Sequence, residues 1–88
     1  MELELASRQW VDQRGDRRSF HYYLVVDQVE TPGFCCENYG VRIAEEGGES
    51  TKIPAITTSA MRIDELMTLL TENLVGPAGL ADVIADWL

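Results

Sequence analysis

The spacing of apolar residues changes once along the chain. Up to about residue 56 they tend to recur at every second position, and from about residue 59 they recur every third or fourth. The first spacing is that of half-buried strands and the second that of amphipathic helices. Strands are expected over residues 2–13, 18–29, 34–45 and 50–56, and helices over 59–74 and 77–87. The stretch "SFHYYLVVDQV" (19–29) is the strongest strand, dense in aromatic and β-branched residues. Pro54 has no amide to donate, which assigns the fourth strand to an edge or ends it early. In the first helix Ile63, Leu66, Met67, Leu70 and Leu74 form one stripe, with Thr58 or Ser59 as its cap. The second begins at Pro77, which a first helical turn tolerates, and aligns Leu80, Val83, Ile84 and Trp87. Met61 and Met67 read as core filler. Strands followed by helices predict one α+β domain over 1–88, an antiparallel meander with two C-terminal helices on one face.

Turn lengths then assign faces. A four-residue turn "RGDR" (14–17) sets Val11 opposite Phe20 and Leu5 opposite Val26. A four-residue turn "ETPG" (30–33) sets Leu24 opposite Tyr39, Tyr22 opposite Val41 and Phe20 opposite Ile43. Both hairpins then share one apolar face. The other face receives Arg8, Trp10, His21, Tyr23 and Arg42, aromatic and arginine-rich without lysine, the composition of an interface core. A bulge in the first strand is the competing arrangement. Ser7 and Gln9 otherwise lie on the core face, and a bulge would turn Trp10 inward.

Charge and chemistry narrow the function. Seven Lys and Arg against fifteen Asp and Glu leave a net charge of −8, which opposes nucleic acid and anionic membrane as partners. No apolar run approaches the roughly 20 residues of a membrane span, and the start "MELELASRQW" lacks the basic and apolar regions of a signal peptide. A cytoplasmic location is expected. Adjacent Cys35 and Cys36 point to opposite faces of a strand, Cys35 into the core and Cys36 outward across from Asp27. Two thiols on opposite faces and a lone His21 supply neither the four ligands of a structural zinc site nor a nucleophile with its base. No catalytic residue, cofactor or metal is expected. "RGD" at 14–16 reads as a turn, and Asp82 with Asp86 as solvated surface.

The strand "YYLVVDQV", then "NYGVRI", then the closing "ENLVGPAGLADVIADWL" resemble a family of small uncharacterised proteins from clostridia and related gut Firmicutes. In that family a YG-containing strand precedes a helix and a segment N-x-V-x-P-x-x-L-x-D-V-I-x-D-x-L. Here that segment falls on Asn73, Val75, Pro77, Leu80, Asp82, Val83, Ile84, Asp86 and Leu88. The resemblance carries no activity and no site with it. Two functions remain. One is a non-catalytic module that binds an unknown protein partner, or a second copy, through the open sheet face or an exposed strand edge. The other is a metabolite-binding regulatory domain with a pocket lined by Tyr22, Tyr39 and Trp87.

Overall fold

In the computed structural model the backbone is described for residues 1–88, and the side chains of all residues except Thr31, Phe34 and Cys35. The elements are β1 (Glu2–Val11), β2 (Arg17–Thr31), β3 (Phe34–Glu45), β4 (Ser50–Thr57), α1 (Ala60–Glu72), a 3-10 turn (Pro77–Gly79) and α2 (Leu80–Trp87). The strands form one antiparallel sheet in the order β1-β2-β3-β4, and both helices follow it in the chain, the α+β architecture that the spacing predicts.

The core lies between one sheet face and the helices. Phe20, Tyr22, Val41 and Ile43 meet Ile63, Leu66, Met67 and Leu70 of α1, and Leu80 and Ile84 of α2. Ser59 caps α1, its hydroxyl accepting from the Arg62 amide at 3.2 Å. Met61 is exposed, contrary to its expected role as filler, because it falls off the stripe that Ile63 begins. Tyr22 is wholly buried, and its hydroxyl donates to the Val75 carbonyl at 2.9 Å, which ties the strand to the segment between the helices. Trp87 is half-buried under the Arg62 guanidinium, 4.4 Å from its ring centre.

The β2–β3 pairing differs from expectation in register but not in face. The turn is Pro32–Gly33 alone, closed by Thr31 and Phe34, so Tyr22 pairs with Ile43, Leu24 with Val41 and Val26 with Tyr39. Gly33 has φ 101°, which fits the third position of a type II turn after proline. A shift of two residues keeps every side chain on its face.

The β1–β2 pairing differs in face. Val11 pairs with Arg17, and the loop between them is fixed by Asp12. Its carboxylate accepts from the amides of Arg14 at 2.9 Å and Asp16 at 3.0 Å. The offset from the expected pairing is odd, so Ala6, Arg8 and Trp10 turn to the helix side. A bulge at Leu5 then reverses the phase, and Leu3 pairs with Leu24. Trp10 turns inward as in the competing arrangement, but through the loop offset, the bulge lying beyond it along β1. Trp10 packs on Phe20 with ring centres 4.4 Å apart.

The β3–β4 pairing carries a larger irregularity. Tyr39 pairs with Thr57 and Val41 with Ile53, so Gly40 faces the three residues Pro54–Ala55–Ile56. Ala55 has φ 54°. The Pro54 Cα lies 2.6 Å from where a Cβ on Gly40 would stand, so the bulge sits directly on the glycine. Val25, across from Gly40, is 1% exposed although it faces away from the helices.

Candidate interaction site

The five residues expected to share a patch do not. His21, Tyr23 and Arg42 lie together on the face away from the helices. Arg8 and Trp10 lie on the opposite face, for the reasons of register given above. Arg8 reaches over to α1, where Nη1 donates to the Thr71 carbonyl at 2.7 Å.

The three residues left on the far face are already engaged within the chain. The Arg42 guanidinium stacks on Tyr23, 3.9 Å from the ring centre, and donates to Glu2 at 2.6 Å and Ser50 at 3.2 Å. Lys52 reaches the other Glu2 oxygen at 3.3 Å. These bonds hold the Glu2 carboxyl below the usual range, Arg42 contributing most. His21 lies between two carboxylates, Nδ1 at 2.6 Å from Glu4 and Nε2 at 3.5 Å from Glu46. This arrangement links β1, β2 and β3 through cross-strand charges and leaves Arg42 no free fork for an outside carboxylate.

One pH effect follows from it. The hydrogen bond to Glu4 raises the His21 pKa above 6.5, and the bond to Glu46 adds to it against desolvation. The stabilisation is full below the unfolded value and is lost as pH rises through the folded one. The wild-type melting temperature is therefore expected to fall between about pH 6 and 8 by more than that of His21→Gln. Because both carboxylates are solvated, the difference is worth at most about 1 kcal/mol. Parallel pH profiles would remove the ion pairs from the account.

The residues between Val26 and Tyr39 form the feature that the sequence reading missed. β1 pairs with β2 no further than Val26, whose amide and carbonyl bond Met1 at 2.8 and 3.0 Å. β4 pairs with β3 no further than Tyr39 and then turns into α1. β2 and β3 continue together without a register shift to the Pro32–Gly33 turn. Five residues per strand therefore run on as a two-stranded ribbon, about 17 Å long, at one end of a molecule measuring 55 × 24 × 17 Å.

Alternation of the antiparallel ladder fixes which backbone groups are paired inside the ribbon. Val26 bonds outward to Met1, so Gln28 and Glu30 also point outward, and on β3 so does Glu37. Asp27, Gln28, Glu30 and Glu37 are exposed, while Val29, Cys36 and Asn38 are half-buried. None of these side chains belongs to the core. Cys36 is a free thiol across from Val29 rather than Asp27. The expected inward placement of Cys35 concerns a side chain outside the described residues.

A signal for the ribbon is present in the sequence. The helix-facing positions of β2 and β3 are Phe20, Tyr22, Leu24, Val26, Tyr39, Val41 and Ile43 along the sheet, then Gln28, Glu30 and Glu37 beyond it. Polar residues take over the core phase where the helices no longer cover it.

The expected ligand pocket has no counterpart at Tyr22, which is 0% exposed and bonded. A depression of about 630 Å³ opens elsewhere, between the β3–β4 turn and the 3-10 turn, lined by Phe20, Arg18, residues 45–49 and residues 76–79. Among the described residues no three His, Cys, Asp or Glu side chains gather as metal ligands, and no helix is long and apolar enough to cross a membrane.

Comparison with protein families matches residues 1–88 to the family of unknown function DUF6514. The chain belongs to that family. DUF6514 carries no assigned activity, in keeping with the uncharacterised family that the sequence resembles. No curated protein and no solved structure matches this DUF6514 chain significantly.

Proposed function

We propose that this protein is a non-catalytic interaction module that binds a protein partner by strand addition to the β2–β3 ribbon. The observation that carries this reading is the outward-pointing backbone of Glu37, past the residue at which β4 leaves the sheet. Unpaired amides and carbonyls along a strand edge are a template for another strand. The other edges are blunted. β4 carries Pro54 and the bulge at Ala55, and β1 carries the bulge at Leu5. The ribbon has no bulge. A two-stranded hairpin is marginal in water alone, and a third strand would stabilise it. The far sheet face is a weaker docking surface because its arginine is already stacked and bonded. The metabolite-binding alternative lacks the room at Tyr22 that it requires.

A photocrosslinker placed at Glu30, on the ribbon, and at Glu65, on the exposed side of α1, tests this in the cells that make the protein. The Glu30 position is expected to give a discrete adduct that Glu37→Pro removes. That substitution blocks the outward edge without removing a β2–β3 hydrogen bond. An adduct of twice 9.9 kDa would identify the partner as a second copy. Adducts from Glu65 but none from Glu30 would refute the reading.

A further inference from the structure

We infer that the strand added to the ribbon carries lysine or arginine side chains; this rests on the strand-addition reading above. The argument begins with the carboxylates of the strands. In the body of the sheet each has a basic partner: Glu2 has Arg42 and Lys52, Glu4 has His21, and Glu45 has Arg18. In the ribbon the pattern stops. Asp27, Glu30 and Glu37 form no ion pair among the described residues, and no Lys, Arg or His occurs between residues 27 and 38. Among the described residues the one side-chain bond to any of them is from the Tyr39 hydroxyl to Glu37, at 3.2 Å.

The placement of these charges matches the open backbone. Glu30 pairs with Cys35 and Gln28 with Glu37, so Glu30 and Glu37 share one face and are diagonal neighbours. Diagonal cross-strand positions lie about 7–8 Å apart, close enough for like charges to repel. Asp27 lies on the other face. A strand on the β2 edge therefore meets a carboxylate on each face, Asp27 and Glu30, and a strand on the β3 edge meets Glu37. An incoming cation would relieve the Glu30–Glu37 repulsion and supply the partner that every strand carboxylate in the sheet body has. Two ribbons of this chain would instead combine six carboxylates with no cation between them. The chain as a whole, at net −8, adds repulsion against an acidic partner and steers a basic one toward it.

The test uses the full chain and two blocked eight-residue peptides, one alternating lysine with valine and the other glutamate with valine. Binding is read from the amide signals of Gln28, Glu30 and Glu37 by NMR and from their protection against hydrogen exchange. The lysine peptide is expected to shift and protect these amides and the glutamate peptide to leave them unchanged. The triple variant Asp27→Asn, Glu30→Gln, Glu37→Gln keeps every backbone donor and is expected to weaken binding at least ten-fold. Glu37→Pro, which blocks the backbone, is expected to remove protection on the β3 edge. If both peptides bind alike and Glu37→Pro abolishes both, the basic partner is wrong and strand addition stands. If the lysine peptide binds equally to Glu37→Pro and protects neither Gln28 nor Glu30 there, the contact is diffuse charge attraction and the inference falls. If neither peptide perturbs the ribbon, the inference also falls, and the crosslinking result decides the strand-addition reading by itself.

Discussion

Gly40→Ala is expected to lower the melting temperature by more than about 10 °C. The methyl group would meet the backbone of the β4 bulge, with the Pro54 Cα at 2.6 Å, and backbone cannot rotate aside as a flexible side chain can. Accommodating it means lifting Pro54–Ile56 off the sheet. The Tyr39–Thr57 and Val41–Ile53 pairs on either side would be strained, and Val25 on the covered face uncovered. Overpacking of this kind costs about 3 kcal/mol, and each kcal/mol moves the midpoint of a domain this size by roughly 4–8 °C. Gly48→Ala is the control, since the atoms nearest its added Cβ belong to the Glu45 side chain, which can move. Thermal unfolding followed by circular dichroism measures both. A Gly40→Ala midpoint within about 3 °C of wild type would mean that the bulge does not rest on the glycine.

The same region shows what the sequence could and could not reveal. The helix stripe and the faces of β2 and β3 were legible because a two-residue error in the turn preserves the alternation. The face of β1 was not legible. It depends on an odd offset from the loop that Asp12 closes and on a bulge at Leu5, and neither alters the hydrophobic pattern that a period-two reading uses. Asp12, placed to bond the amides of Arg14 and Asp16, was the available sign of a longer loop. The patch of Arg8, Trp10, His21, Tyr23 and Arg42 failed for this reason alone, since two of its members moved to the helix side. Substituting Trp10 would therefore perturb the packing on Phe20 before it tested any surface. The ribbon was hidden differently. Its strands were visible, but that β1 and β4 stop short of it is a property of pairing, which a single strand's composition does not encode.

Shortening the ribbon is expected to abolish partner binding and leave the fold intact. Asp27 and Asn38 form a ladder-bonded pair, the kind that a two-residue hairpin turn closes. Replacing residues 28–37 by Asn-Gly therefore joins the strands where the four-stranded sheet ends. The deletion removes no described core side chain and no ion pair of the sheet body. It removes the outward backbone of Gln28, Glu30 and Glu37 and two of the three unpaired carboxylates. The most direct measurement is the apparent mass of the shortened chain in an extract of the cells that make the protein, with the melting temperature of the purified chain taken alongside. The native chain is expected to travel in a complex heavier than its own 9.9 kDa. The shortened chain is expected to run as free monomer and to melt within about 5 °C of native, a shift equivalent to about 1 kcal/mol. A shortened chain that still melts like the native protein and still travels in the same complex would contradict docking through the ribbon.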